Sequence, residues 1–199
     1  MTVAQENRKM LITEYLAPCL KRHGYKKKNN VFFQQSADAI TLISIQNSSM
    51  TIPETCQFTI NLGVYFPQLA ELLEQPGREK FPSRAELGQI NVRIGKLIPK
   101  APGDMWWRIL PDNDWRSVAQ DVTYAVETFG VPWVECVASI KAAKTYAISE
   151  RQYLMGAALA LLDGKVDEAR GYFEIRKAQE TPIRQIWLHW AEKHGLIPN

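Results

Sequence analysis

Residues 56–66 read Cys-Gln-Phe-Thr-Ile-Asn-Leu-Gly-Val-Tyr-Phe, and this stretch decides the fold class. Phe58, Ile60, Leu62, Val64 and Phe66 recur at every second residue, with Gln57, Thr59, Asn61 and Tyr65 between them. A period of two is the signature of a strand with one face toward a core. Gly63 falls on the polar face and marks a bulge or a close approach. Pro67 ends the strand and suits the first turn of a short helix through Leu73.

Two runs upstream extend the sheet. Val31–Gln35 is a short strand. Ile40–Gln46 is apolar on both faces and therefore central. Downstream, Gln89–Leu97 alternates again, with Ile90, Val92 and Ile94 against Gln89, Asn91 and Arg93. Residues 75–86 and 99–111 read as loops, the second holding the pair Trp106–Trp107.

The period lengthens to that of a helix on both sides. Ile12, Leu16, Cys19 and Leu20 form one stripe over residues 4–23, with Pro18 either kinking the helix or starting a new one. Gly24 is placed to stop it, with Tyr25 packing back and residues 26–30 (KKKNN) forming a polar turn. Beyond residue 111 every segment reads helical. A stripe from Trp115 to Phe129 follows Asp112, Asn113 and Asp114, any of which can cap it. Pro132–Ile140 is a short helix, and Ser149 with Gln152 marks a capping box before a helix to Leu162. Val166–Ala178 follows. Thr181 and Pro182 open a last helix with Ile183, Ile186, Trp187, Trp190 and His194 on one face, stopped by Gly195. The run MGAALALLDGKVDEARGYFEIR reads as a single tetratricopeptide-type hairpin that does not recur. The expected protein is therefore α+β: an N-terminal helix, an antiparallel sheet of about four strands, then C-terminal helices. Its division is 1–130 as an α+β domain and 131–199 as a helical extension packed on it.

The chain has 199 residues, 46% hydrophobic and 23% charged, and a net charge of +3, too small to imply a nucleic-acid or membrane partner. No apolar stretch approaches the ~20 residues that span a bilayer. The N-terminus lacks the apolar core of a signal peptide. Cys19, Cys56 and Cys136 are three in number, match no zinc spacing, and fit a reducing cytoplasm.

Four stretches, LAPCLKRHGYKKKNNVFF, FTINLGVYF, VRIGKLIP and GDMWW, carry a resemblance. Gly24, Tyr25, Lys26 and Lys27, then Gln46, Asn61 and Gly63, Arg93 and Gly95, and Asp104, Trp106 and Trp107 follow one another as in a bacterial family known as domain-of-unknown-function family 4304. The similarity covers roughly residues 10–130. It implies a shared α+β fold and brings no activity with it.

Candidate binding residues follow from pairing the strands. Gln57, Thr59, Asn61, Gln89, Asn91 and Arg93 then share one polar face, which Ser44 and Gln46 can join, an array of amides and a guanidinium suited to a peptide, carboxylate or phosphate. A solvated sheet face is the plainer account of the same pattern. Asp104, Trp106 and Trp107 form the second candidate. Two adjacent indoles on extended backbone point opposite ways, so one caps the core while the other lines a groove. Lys21, Arg22, His23, Lys26, Lys27 and Lys28 cluster at a helix C-terminus, where cations complement the dipole. Nucleic-acid binding would need more basic residues on that face. Cys19 and His23 are spaced i, i+4 without a visible third ligand, so no metal is expected. No catalytic or cofactor motif is present, and none is expected to act.

The favoured expectation is a non-catalytic binding or regulatory protein working through contacts with another protein. An immunity-type role enters by analogy with small bacterial α+β proteins. The alternative is a small-molecule binder or enzyme with a pocket around Arg93, Asp104, Trp106 and Trp107. The second alternative is nucleic-acid binding through Lys21–Lys28. Neither a membrane nor an oligomeric state is implied.

Overall fold

Strand β4 (Cys56–Tyr65) is the spine of an antiparallel sheet that also holds β1 (Lys26–Lys28), β2 (Val31–Gln35), β3 (Ile40–Asn47), β5 (Ile90–Arg93) and β6 (Trp107–Ile109). The order is β1-β2-β3-β4-β5, with β6 also on β4. β5 pairs with Asn61–Val64 and β6 with Cys56–Phe58, so the two share one edge of β4 end to end. The computed structural model describes residues 2–49, 54–74, 81–180 and 182–197.

Six strands replace the expected four or so. The extra two come from stretches read as turn and loop. Lys26–Lys28 pairs with Val31–Phe33 through a two-residue turn at Asn29, whose φ of 55° is left-handed and suits Asn. The three lysines cover a sheet edge, where charge discourages pairing with another chain. The Schellman turn before them is as expected. Gly24 has φ 80°, and the N–H groups of Gly24 and Tyr25 bond the carbonyls of Lys21 and Leu20.

One face of the sheet meets the helices. Phe58, Ile60, Leu62 and Val64 are wholly buried in a core with Leu11, Leu16, Leu20, Val122 and Val126. α1 (Val3–Met10) continues through a π turn (Leu11–Leu16) into α2 (Ala17–Arg22). α3 (Pro67–Leu72) follows β4, and α4 (Trp115–Ala125) continues through a second π turn (Val126–Gly130) into α5 (Val131–Cys136). Pro18 and Pro132 each lie in the first turn of the α-helix that follows the π turn, α2 and α5, with no residue between the elements. In each case the residue before the proline bonds five back, Ala17 to Ile12 and Val131 to Val126. The wide turn absorbs the bond and the space the proline ring removes. The 130/131 boundary lies inside this second helix.

α6 (Ile140–Ser149), α7 (Tyr153–Leu162), α8 (Val166–Gln179) and α9 (Gln185–Lys193) complete the chain. The capping box at Ser149 is not formed. Ser149 closes α6 and donates to the Tyr146 carbonyl. The hairpin of small residues is α7 and α8, with Gly156 set against Ile148 of α6. Ile186 is 63% exposed, so the buried stripe of α9 is carried by Trp190 with Ile183 before it. Thr181 lies outside the described residues, as does part of the loop at 75–86.

Lys144 on α6 ties this extension together, donating to Asp163 at 3.0 Å and to Glu168 at 2.8 Å. Burial alone would lower its pKa, yet the bonds to Glu168 and Asp163 raise it, and both carboxyls are held below their usual range by Lys144. A carboxyl depressed in the folded state stabilises above its unfolded pKa and loses that contribution as pH falls through the folded value. The amides of α6–α8 should therefore exchange faster as pH drops below about 4, once intrinsic rates are corrected. Lys144→Met should remove most of that dependence.

Candidate functional site

The polar face of the sheet is not open. Thr59 and Asn61 are buried, as is Tyr65, where the turn at Ala85 and the loop at Met105, on either side of β5, cover this face. The crossing turn is a 3-10 turn at Ala85–Leu87. Ala85 N–H bonds Ser44 Oγ at 3.1 Å, and Ser44 donates to Glu86 at 3.0 Å. Gly63 lies beneath it, where a Cβ would stand 2.1 Å from the Ala85 carbonyl oxygen. A small second core of Val31, Ile40, Leu42, Tyr65 and Ala85 fills the space beside it. Gln89 is likewise buried, its amide spanning the N–H and carbonyl of Phe66 at 2.8 and 3.2 Å.

Most sequence candidates meet on this roofed face. Asn61 stands opposite Ser44 on β3 and Arg93 on β5. Arg93 donates through Nη2 to Gln46 at 3.2 Å, lies within 3.5 Å of Asn61 through Nε, and forms an ion pair with Asp104. Its guanidinium lies over the Trp106 ring, 5.0 Å from the centroid. Asn61 closes the ring by donating to Gln46 at 2.7 Å, and Thr59 donates to the Met105 carbonyl at 2.7 Å. The donors of Arg93 are thus spent on fastening the 97–106 loop to the sheet. Gly95 allows that loop to close, since a Cβ there would stand 2.7 Å from the Pro102 carbonyl oxygen.

Trp107 takes the other direction. It is buried, stacks on Phe58 at 6.2 Å, and donates to Asp121 at 2.6 Å. Gln57 is also apart from Arg93, opposite Arg108 on β6. Asn91 donates to the Gly88 carbonyl and lines, with Arg93, Asp104, Glu86 and Lys96, a pocket of about 470 Å³. Its two cations face two carboxylates.

A larger pocket, about 640 Å³, lies between α1 and the end of the β3–β4 hairpin. Arg8, Lys9 and Lys27 supply three cations; Gln5, Asn30, Asn47 and Gln57 supply amides; Thr13, Ser48 and Thr55 supply hydroxyls. Among its described lining residues there is no carboxylate and no histidine. Arg8 Nη1 donates to Asn47, while Arg8 Nε is buried without a hydrogen-bond partner among the described residues. Cys56 also lines it, with its thiol pKa pushed up by burial, so it presents no thiolate near neutral pH. Of this pocket, Gln57 and Lys27 were singled out from the sequence, in two separate candidate sites. Its other walls come from segments far apart in the chain, and no spacing announces them.

The basic cluster is partly engaged. Arg22 and His23 reach Glu127 at 3.5 and 3.3 Å, and Lys28 lies over the Phe81 ring at 4.6 Å. The hydrogen bond with His23 holds the Glu127 carboxyl below its ordinary pKa. Among the described residues, no helix is long and apolar enough to cross a membrane.

A helix-backed antiparallel sheet, roofed by a loop that one arginine fastens, defines an α+β protein with a polar pocket at one end of its sheet. The family described as Domain of unknown function (DUF4304) matches residues 16–136, more than half of the chain. The chain belongs to that family. No curated protein and no solved structure matches it. The family resemblance noted on Gln46, Asn61, Gly63, Arg93, Gly95, Asp104 and Trp106 thus falls on the loop fastening and on the glycines that permit it.

Proposed function

We propose that this protein is a non-catalytic binding module that holds a small phosphate-bearing ligand in the pocket lined by Arg8, Lys9 and Lys27. The observation that carries this is the buried, unpartnered Arg8 Nε in a pocket of three cations without a described carboxylate. A buried donor without a partner is costly unless a ligand supplies the acceptor. Guanidinium and ammonium groups beside amides and hydroxyls suit phosphate oxygens. The protein-contact expectation drew on a polar sheet face, the Trp pair and the helical extension; the burial of Thr59 and Asn61 weakens the first of these. The pocket at Arg93 and Asp104 is the weaker alternative because its charges already pair. Three free cysteines support a reducing compartment such as the cytoplasm of a bacterium.

Calorimetric titration of the whole chain with pyrophosphate and with ATP at low ionic strength tests the reading. Saturable binding is expected, and Arg8→Gln or Lys27→Gln should weaken it about tenfold or more. Wild-type affinity in both variants, or no binding of either anion, would refute it. Tighter binding of a short single-stranded oligonucleotide would favour the nucleic-acid alternative instead.

A further inference from the structure

We propose that Cys19, His23 and Glu127 form a three-ligand site for a zinc-type divalent ion. Cys19 and His23 lie one helical turn apart at the end of α2, so both reach the same side. Glu127 arrives from the π turn ahead of α5, on a helix that runs beside the first one. Sulfur, imidazole nitrogen and carboxylate oxygen all lie within 4.8 Å of one another.

Tetrahedral zinc with these donors needs them about 3.3–3.8 Å apart, given its usual bond lengths. His23 Nε2 and Glu127 Oε1 already stand at 3.3 Å, inside that range, and the third donor lies within 4.8 Å of both. The donor set itself is selective: thiolate with imidazole and carboxylate suits zinc and disfavours magnesium or calcium. Cys19 is buried and Glu127 exposed, so the three donors lie at the protein surface with one side open to solvent at Glu127. Arg22 competes for Glu127 at 3.5 Å, but that pair is largely solvent-exposed and therefore weak. π turns inside helices recur at functional sites, and Glu127 is on one. The site shares no residue with the Arg8 pocket, so it stands or falls separately from the phosphate reading.

The test is titration of the reduced, full-length chain with Zn²⁺ against a chromophoric chelator, and with Co²⁺ by absorption. One tightly bound ion and a thiolate-to-cobalt charge-transfer band are expected. Glu127→Gln and His23→Gln should each weaken zinc binding at least about tenfold, and Cys19→Ser should abolish the band. Cys136→Ser, which changes an exposed cysteine elsewhere, should change neither. Glu127 is exposed, so its variant keeps the test valid if Cys19→Ser disturbs the core. Absence of the band, wild-type affinity in Glu127→Gln and His23→Gln, or loss of binding in Cys136→Ser would overturn the proposal.

Discussion

Gly63→Ala should destabilise the protein by about 3 kcal/mol or more, lowering the melting temperature by roughly 6–12 °C. The added methyl would stand 2.1 Å from the Ala85 carbonyl oxygen and 2.9 Å from its carbon, both backbone atoms. The turn cannot shift locally. Ala85 is held to Ser44, and the Gly88 carbonyl is held by Asn91. The segment must therefore lift as a unit, exposing the second core of Val31, Leu42 and Tyr65. Gly171→Ala is the informative contrast. Gly171 lies within α8 with nothing within 4 Å of its added Cβ, so alanine there should stabilise by about 0.5–1 kcal/mol. Equal melting temperatures for Gly63→Ala and wild type would remove the crossing turn from the account.

Arg93→Ala should cost about 2–3 kcal/mol and loosen residues 97–106 first. The substitution removes the donor to the Asn61 carbonyl oxygen and one of the two donors to Gln46, and frees Asp104. Asp104 is 68% exposed, so solvent recovers much of its loss; Asn61, at 3% exposure, recovers little. Arg93→Lys should not rescue, because an ammonium cannot bridge Gln46, Asn61 and Asp104 or stack as well on Trp106. Limited proteolysis read by mass spectrometry checks this: cleavage between Leu97 and Trp106 should rise in both variants. Pyrophosphate affinity should stay at the wild-type value, since Arg93 lies outside the Arg8 pocket. Unchanged proteolysis would mean that the arginine does not fasten the loop.

These two outcomes also mark where the reading of residues 56–66 needed the third dimension. Alternation correctly assigned Phe58, Ile60, Leu62 and Val64 to the core and placed Asn61 beside Arg93. It left Gly63 as a bulge or a close approach, and the Ala85 turn makes the second. It said nothing about what lies above the opposite face. A residue period reports which side of a strand a group occupies; whether that side meets water or another backbone depends on the path of residues 81–106. The adjacent indoles divide in the same way. Their opposite directions followed from extended backbone, but only the pairing of Phe58 with Trp107 decided which one is buried. Lys26–Lys28 was missed as a strand because lysines disfavour strands by local preference, and an edge position reverses that logic.

The sequence by itself determined the α+β class, the central strands, the glycine stop at Gly24 and the family. Each of these is written in local periodicity, in backbone conformations that few residues tolerate, or in an ordered set of short motifs. Only the tertiary structure decided the candidate sites. Arg8 meets Asn47 across 39 residues and His23 meets Glu127 across 104. Such contacts exist because helices and sheet pack to bury their apolar faces, and that packing places polar groups together that no spacing along the chain relates.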